Sequence, residues 1–510
     1  MRHWQQWSVS LAIGLISWGW LPGWVRPGWA EVVRFTLLQL NDIYEITAIE
    51  GGTRGGLARV ATVRQRLVAE NPHTYTILAG DALSPSALGT ARINGESLAG
   101  QQMVAVMNAI GFDLATFGNH EFDLNQAQFL QRLQESKFQW ISSNVSDATG
   151  QPFPQVERSR ILTIPTTTGN PVRVGVIGLT IDSNPVDYVR YQNFITAAQS
   201  QVKALRSQTD LIIAITHLSL AEDQQLAAAV PELALILGGH EHENIQQWRF
   251  VLSPTANCPN RGTPILKADA NARSVYIHQL EYDTDTQCLT IHSRLQPITA
   301  AIPEDPTTAK LVQSWLDRGF QAFRAQGFQP ETVVATIATS LDGLETSVRN
   351  QPTNLTQLIA EAMLKQTDGA ELAIFNSGAI RIDDRLPAGA ITQYDMIRIL
   401  PFGGQVLTVE LPGSLLQRVL NQGQANRGTG GYLQTANVSQ DAAGNWLIQG
   451  QPLQPQRRYR VAIADFLMTG REQGLNFLNL DAPGVKLIAE HDDIRFVLIR
   501  HLQTLAPSHR

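Results

Sequence analysis

The sequence contains little of what marks disulfide-stabilised, disordered or nucleic-acid-binding proteins. Only two of its 510 residues are cysteines, Cys258 and Cys288, so disulfide bonds cannot replace a hydrophobic core. Charged residues make up 16% and hydrophobic residues 43%, which excludes an intrinsically disordered chain. No long run of Lys and Arg is present and the net charge is −6, which argues against a nucleic-acid polymer as a partner. The length predicts at least two domains.

A long apolar run lies near the start of the chain, from Val9 to Val25. It follows a basic start, and the small residues Gly28 and Ala30 precede Glu31 in the spacing of a cleavage site. This pattern is typical of a signal peptide, so we predict that residues 1–30 are removed on export to the periplasm or the extracellular space. A retained membrane anchor is the alternative, and after cleavage we expect no membrane span. In an oxidising compartment the two cysteines could pair or remain free thiols.

In the first half of the chain, apolar runs of strand length end at polar residues that can bind a metal ion. The runs are Phe35–Leu40, Thr74–Ala79, Leu114–Phe117, Leu211–Ile215 and Leu233–Leu237, and the residues after them include Asp42, Asp81, Asn119, His120, His217, His240 and His242. Continuous apolar runs indicate strands buried on both faces. Helical patterns lie between them, which favours an α/β fold. Because ligands bind beyond the carboxyl ends of such strands, we expect these polar residues to converge on one site.

The pattern further along the chain indicates a second unit. Ile302 and the prolines that follow it interrupt the first unit, and Thr308–Ala325 has apolar residues at helical spacing. Beyond Pro330 a new series of helix and strand patterns begins. We therefore predict a first domain over residues 31–302, a linker helix over residues 303–329, and a second domain over residues 330–510.

The candidate ligands are Asp, Asn and His, with no cysteine among them. This mixture suits divalent ions such as Zn, Mn, Fe, Co or Mg and does not suit a structural thiolate site. The segment Gly118–Asp123 is the most specific, because the amide oxygen of Asn119 is an unusual ligand outside hydrolase sites with several metal ions. The adjacent His120 would remain free to act on a substrate.

These motifs, in this order and spacing, resemble the calcineurin-like dinuclear metallophosphatases. More narrowly, they resemble the secreted 5′-nucleotidase family, which includes UDP-sugar hydrolases and 2′,3′-cyclic-nucleotide phosphodiesterases. The resemblance implies an N-terminal metallophosphatase βαβ sandwich domain, joined by a helix to a C-terminal α/β nucleotide-binding domain. It also implies two divalent metal ions as cofactors, and the sequence leaves Zn, Mn, Fe and Co open.

The resemblance assigns a role to each candidate residue. Asp81 would bridge the two ions, and the remaining ligands would be Asp42 and His242 at the first ion, and Asn119, His217 and His240 at the second. His120 would be catalytic, stabilising the transition state or protonating the leaving group. Asp123 would orient the imidazole of His120, and Asn119 would also stabilise the developing charge. A carboxylate partner fixes the tautomer of an imidazole and raises its basicity.

The first motif departs from the family pattern, because Tyr44 stands where the family has a histidine ligand. A phenol has an ordinary pKa of about 10. Tyr44 could bind the first ion as a phenolate, which would favour a harder or trivalent metal. It could instead be a packing residue, with the ion bound by water or Glu45.

The second half of the chain carries further motifs of the same family. The segment Asn376–Arg381 resembles its Asn-Gly-Gly-Gly-Ile-Arg motif, and Arg349 resembles an upstream Arg motif. The resemblance implies that Arg349, Asn376 and Arg381 bind the substrate, with the guanidinium groups on its phosphate or carboxylate groups. Tyr432 and Phe466 would stack on the base, an interaction of ~1–3 kcal/mol for each ring.

A second departure lies after Phe466. The family has an Asp there that holds the ribose hydroxyls, whereas this chain has a longer segment in which Glu472 could substitute for it.

Asp383 and Asp384 are adjacent in the sequence, and this pair is interpreted as solvent-exposed.

Together these features predict a metal-dependent phosphoester hydrolase, a 5′-nucleotidase that releases phosphate from nucleotides through attack by a metal-activated water. The alternatives are UDP-sugar hydrolase or 2′,3′-cyclic-nucleotide phosphodiesterase activity, and a non-catalytic nucleotide-binding protein whose first metal site has decayed. The partner is a small nucleotide or nucleotide sugar. The sequence leaves the oligomeric state open.

Overall fold

A computed structural model describes residues 31–167, 169–249 and 262–505. The predicted signal peptide, residues 1–30, lies outside this part of the chain. Cys288 is disulfide-bonded, whereas Cys258 lies outside the described residues. Within those residues, no helix combines the length and the apolar character that crossing a bilayer requires.

The first half of the chain forms two sheets. In spatial order, the seven-stranded sheet contains Val156–Glu157, Gln139–Ile141, Leu114–Thr116, Thr74–Ala79, Val32–Leu40, Ser274–Asp283 and Cys288–Pro297. The six-stranded sheet contains Ser159–Ile164, Val172–Thr180, Leu211–His217, Leu233–Gly238, Thr263–Lys267 and Ile245–Arg249. All five predicted strands are present, and their central residues are buried. The strand Val172–Thr180 was not predicted.

The two sheets pack face to face around an apolar core. Leu37 and Ile77 from the first sheet contribute to it, together with Val174, Ile213 and Leu235 from the second. Helices cover the outer faces of both sheets, so each central strand is buried on two sides, as its continuous apolar sequence indicates. These helices are Leu57–Glu70, Gln101–Ile110, Gln126–Glu135, Phe194–Leu205 and Leu220–Ala229.

The second half of the chain is built around a five-stranded sheet. Its strands, in spatial order, are Leu433–Ala436, Leu372–Asn376, Arg458–Ala464, Gln405–Pro412 and Lys486–Asp493. Its helices are Glu345–Val348, Asn354–Lys365, Gln393–Ile399, Gly413–Ala425 and Ile494–Leu505. The α/β fold predicted for both halves is therefore confirmed.

Short strands and 3₁₀ turns complete the described elements. The strands are Ala48–Ile49, Arg54–Gly55, Arg92–Ile93, Glu96–Ser97, Val145–Asp147, Val189–Tyr191, Val333–Ile337, Leu341–Asp342, Arg385–Leu386, Gly389–Thr392, Val438–Gln440, Trp446–Ile448 and Gln451–Pro452. The 3₁₀ turns are Leu88–Thr90, His120–Asp123, Ser377–Ala379 and Asp465–Met468.

A helix over Pro306–Ala325 lies between the two halves. Asp305 caps its start by accepting a hydrogen bond from the Thr308 N–H, and Pro306 occupies the first turn, where no N–H is needed. Trp315 and Phe323 on its buried face belong to an apolar cluster that contains residues from both halves of the chain. The halves therefore share a core through this helix.

Candidate functional site

Two aspartates follow neighbouring parallel strands of the first sheet. Asp42 comes after Val32–Leu40 and Asp81 after Thr74–Ala79, and both side chains are buried. Both residues adopt left-handed backbone conformations, with φ of 52° and 57°. The Asp42 N–H donates to the Gly80 carbonyl at 3.0 Å, which fixes one turn against the other. The sheet edge therefore holds two carboxylates side by side, as predicted.

The carboxylate of Asp81 lies between polar side-chain atoms from two different loops. Its Oδ2 is 3.2 Å from Nε2 of His217 and 3.0 Å from the hydroxyl of Tyr44. Candidate ligand atoms of Asp42, Asp81 and His217 all lie within 4.8 Å of one another. This arrangement suits a carboxylate that contacts two cations at once.

Two buried side-chain atoms at this site lack hydrogen-bond partners among the described residues. Nδ1 of His217 donates to the Ala79 carbonyl at 2.8 Å when that nitrogen carries the proton. Its buried Nε2 then offers a lone pair beside the carboxylates, and it has no hydrogen-bond donor there. Oδ1 of Asn119 is likewise buried and unpaired. Because buried polar atoms are nearly always paired, these two acceptors fit a metal ion.

The electrostatics of the site also favour a cation. Burial disfavours the charged form of His217, but Asp81 and Asp42 outweigh it and raise the pKa of His217 to about 9. Without a metal ion the imidazole therefore binds a second proton beside the carboxylates, and an ion held by Nε2 would replace that proton. Burial, followed by the neighbouring charge of His217, lowers the pKa of His240 to about 4, so its imidazole is neutral and available as a ligand.

The loop after the strand Leu233–Gly238 contributes two histidines. The His240 N–H donates to Oδ2 of Asp42 at 2.9 Å. Nε2 of His242 is 3.5 Å from Oδ1 of Asp42 and 3.2 Å from the Tyr44 hydroxyl. Burial, with Asp81 and Asp42, raises the pKa of Tyr44 well above its usual value. The Tyr44 hydroxyl thus lies among the candidate metal ligands Asp42, Asp81 and His242.

Glu121 holds two ligand-bearing loops together, a role that the sequence analysis did not assign. Its carboxylate accepts four backbone N–H groups, from Asp81, Ala82, Leu83 and Gly118. Gly118 allows the two loops to approach each other, because a Cβ atom there would come within 2.0 Å of Oδ1 of Asp81. The position of Glu121 between Asn119 and Asp123 in the motif was the available signal.

Lys267 holds the loops on the second sheet. Its ammonium group is fully buried and pairs with Asp223 at 2.8 Å and with Glu241. It also donates to the carbonyls of Leu218 and Gly239 at 2.6 and 2.8 Å. These carbonyls belong to the loops that carry His217 and His240. The sequence feature that could have indicated this role is a lysine at the end of the apolar strand Thr263–Lys267.

His120 and Asp123 contact each other beside the candidate metal ligands. Nδ1 of His120 is 2.8 Å from Oδ2 of Asp123, which also accepts from the Ser84 hydroxyl at 3.0 Å. The His120 N–H donates to Oδ1 of Asp81 at 2.8 Å. Burial opposes the charged form of His120, but Asp123 and Asp81 outweigh it and raise its pKa, while Arg381 acts in the opposite direction. When it carries both protons, this partly exposed imidazole can donate a hydrogen bond to a substrate oxygen.

The guanidinium groups predicted to bind substrate lie in different surroundings. Arg381 is close enough to affect the pKa of His120, and its guanidinium carbon is 5.7 Å from the centre of the Phe402 ring. Nε of Arg381 is buried and unpaired among the described residues. Arg349 instead pairs with Glu345 at 2.5 Å.

Of the remaining predicted substrate residues, Asn376, Tyr432 and Glu472 lie near the turn that contains Gly431, and Phe466 lies in the 3₁₀ turn Asp465–Met468. Asn376, at the end of its strand, and Tyr432 are buried, whereas Phe466 is 43% exposed. Glu472 lies beside the turn, because a Cβ atom on Gly431 would come within 2.8 Å of its carboxylate. Phe466 therefore offers an accessible ring face, and Glu472 lies next to the residue before Tyr432.

Asp383 and Asp384 are buried, so the interpretation of a solvent-exposed pair was wrong. Asp383 contacts His242 at 3.0 Å, and Asp384 pairs with Arg398 at 3.0 Å. Asp384 also accepts the Glu50 N–H at 3.2 Å. Sequence spacing carries no information about these contacts, because they are made with distant parts of the chain.

A polar cavity of about 340 Å³ lies between the two halves. Asp123 and Ser84 line it from the first half, and Phe402 and Arg495 from the second. Asp123, whose carboxylate contacts His120, thus lines this cavity. The cavity has a size that small ligands occupy.

Comparison with known proteins agrees with this arrangement. Residues 35–244 match the family of calcineurin-like phosphoesterases, and residues 333–479 match the C-terminal domain of 5′-nucleotidases. The fold and the site define a metal-dependent hydrolase of phosphoester bonds. More narrowly, the chain belongs to the 5′-nucleotidase family of calcineurin-like metallophosphatases.

Individual relatives span most of the chain. A 5′-nucleotidase of Homo sapiens is 26% identical, over 84% of this chain and 78% of its own length. The protein UshA of Yersinia enterocolitica is 26% identical, over 91% of this chain and 90% of its own. A solved structure of a 5′-nucleotidase precursor from Thermus thermophilus shares the fold, with a TM-score of 0.74 and 24% identity, over 92% of this chain and 96% of that one.

Proposed function

We propose that the protein is a 5′-nucleotidase that releases phosphate from nucleotides with two divalent metal ions. The observation that supports this most strongly is the carboxylate of Asp81 between the unpaired Nε2 of His217 and the hydroxyl of Tyr44. The residues that would hold the ions are Asp42, Tyr44, Asp81, Asn119, His217, His240 and His242. When bound, the ions would neutralise the phosphoryl oxygens and lower the pKa of the attacking water.

The residues of the chain would act on the substrate from two sides. His120, held by Asp123, would donate a proton or a hydrogen bond to an oxygen on which charge develops. Arg381 would bind the phosphate from the opposite half of the chain, because it lines the same small cavity as Tyr44 and His242. Arg349 and Asn376 would complete the phosphate side, and Tyr432, Phe466 and Glu472 the nucleoside side. Export, with removal of residues 1–30, is part of the proposal and rests on the sequence alone.

A substrate panel tests this function. The purified protein is treated with a chelator and then assayed with Mn, Zn, Fe or Co on nucleoside monophosphates, UDP-glucose, 2′,3′-cyclic nucleotides and a bis-aryl phosphate. We expect nucleoside monophosphates to be hydrolysed fastest, the chelator to abolish activity, and a divalent ion to restore it. Hydrolysis that continues after complete removal of metal would contradict the proposal. Hydrolysis of the bis-aryl phosphate with none of the nucleotides would contradict it as well.

A Phe466→Ala variant serves as the internal control for base recognition. Removing one stacking ring should weaken nucleotide binding by about 1–3 kcal/mol, and it should leave the KM for the bis-aryl phosphate unchanged. Because this ring is exposed, the variant should fold normally. Equal effects on both substrates would argue against a base-binding role.

The oxygen of Tyr44 can be tested separately from its ring. Since the hydroxyl contacts Asp42, Asp81 and His242, we propose that it contributes to the first metal site. Tyr44→Phe should then bind about one metal equivalent less per chain under limiting metal, and Tyr44→His should restore it. Metal analysis of the dialysed proteins measures this. If both variants match the wild type in metal content and activity, Tyr44 is a packing residue.

A further inference from the structure

A carboxylate from the second half of the chain contacts a candidate metal ligand of the first half. Oδ2 of Asp383 lies 3.0 Å from Nδ1 of His242. Asp383 is buried, with 7% exposed, and His242 is partly buried, with 11% of its side chain exposed. The two are 141 positions apart in the sequence, so this contact exists only when the two halves are packed together.

The surrounding structure fixes the Asp383 carboxylate. Its Oδ1 accepts the Glu345 N–H at 2.9 Å, which leaves Oδ2 for the imidazole. Arg273 of the first half donates to the Asp383 carbonyl and lies 3.7 Å from Oδ2. Asp383 also has a φ of 37°, a left-handed conformation that persists when neighbouring contacts enforce it. These contacts hold Oδ2 of Asp383 toward His242, whose Nδ1 also lies 3.6 Å from Oε2 of Glu345.

This contact selects one form of the His242 ring. A carboxylate accepts hydrogen bonds, so the proton of a neutral His242 lies on Nδ1. Nε2 then carries a lone pair, and it faces Asp42 at 3.5 Å and the Tyr44 hydroxyl at 3.2 Å. A metal ligand must present an unprotonated nitrogen to the ion, and histidine ligands commonly donate their other N–H to a carboxylate.

We propose that Asp383 is a positioning residue for His242, so that the second half of the chain completes the first metal site. The inference rests on the proposed function, because that function places His242 among the ligands. Coupling of this kind is reciprocal. An ion held by His242 therefore stabilises the contact between the two halves, and that contact in turn raises the affinity for the ion.

Metal affinity of an Asp383→Asn variant tests this proposal directly. The amide has one oxygen for two N–H donors, so its NH2 group would face either Glu345 or His242. We expect one of the two ions to bind about 10–100-fold more weakly, measured by competition with a chromophoric chelator. The Co-loaded variant should also show a changed absorption spectrum, which a purely structural defect elsewhere would not produce.

Asp384→Asn is the matched control. It removes a neighbouring buried carboxylate at the same interface, but that carboxylate pairs with Arg398 and does not contact His242. We expect it to lower stability and to leave both metal affinities within about twofold of the wild type, because it does not contact a ligand. Equal loss of metal affinity in the two variants would overturn the proposal, as would wild-type affinity in Asp383→Asn.

A measurement on the wild type covers the case in which Asp383→Asn does not fold. With histidines labelled with ¹⁵N and zinc bound, NMR should show His242 protonated at Nδ1 and coordinated through Nε2. Coordination through Nδ1 would overturn the proposal and leave the hydrolase function intact. A wild type that binds no divalent ion would instead refute the proposed function.

Discussion

Replacing His120 with alanine should lower kcat on a nucleoside monophosphate by about 10²–10⁴-fold, the usual contribution of a positioned acid or base. The imidazole is held by Asp123 at 2.8 Å and by its backbone N–H bond to Asp81. Its removal leaves the candidate metal ligands in place, so the variant should retain its full metal content. Steady-state kinetics combined with metal analysis measures both quantities.

The control for this variant is His292→Ala, which removes an exposed histidine. We expect its kcat and metal content to equal those of the wild type. Full activity in His120→Ala would refute the catalytic role of His120, whereas a wild type without hydrolase activity would favour the alternative of a non-catalytic nucleotide-binding protein. Loss of metal in His120→Ala would show that the ring supports the site structurally.

The second large effect concerns stability. Replacing Lys267 with methionine should lower the free energy of unfolding by about 3–5 kcal/mol, because removing one partner of a buried ion pair leaves the other charge uncompensated. Asp223 and Glu241 would lose their cation, and the carbonyls of Leu218 and Gly239 would lose their donor. Denaturant unfolding followed by circular dichroism measures the change.

Lys365→Met provides the comparison. Lys365 is 57% exposed and pairs with Glu361 at 3.9 Å on a helix surface. Such a pair contributes about 0–1 kcal/mol, so this variant should unfold close to the wild type. The expected difference between the two lysines follows from burial alone. If Lys267→Met unfolds at the same denaturant concentration as Lys365→Met, the buried ammonium does not stabilise the loops.

Sequence patterns predicted the three central strands of the first sheet, because a continuous apolar run is a local feature of the sequence. The run Thr74–Ala79 is continuous and apolar, and the structure forms the predicted strand with the same bounds. The convergence of Asp42 and Asp81 followed from a rule about parallel strands, which end at the same edge. The strand Val172–Thr180 was not predicted although it is buried, because Arg173, Gly175 and Gly178 interrupt its apolar pattern.

The supporting contacts could not be predicted because they join distant parts of the chain. Lys267 pairs with Asp223 from another loop, and Asp383 reaches His242 from the other half. A local pattern shows that a lysine follows an apolar run, but it does not show which carboxylates surround it. Burial reversed the interpretation of Asp383 and Asp384 for the same reason. Such contacts depend on how whole units pack.

The four N–H groups around Glu121 have a consequence for the selection among metal ions. They connect the turn that contains Asp81 to the turn that contains Asn119. The backbone around these two candidate metal ligands is therefore ordered by hydrogen bonds within the chain. Metal ligands on a rigid backbone discriminate among ions by ionic radius and preferred geometry more than ligands on a flexible loop do. Ionic size would then influence which metal the protein retains when several are available.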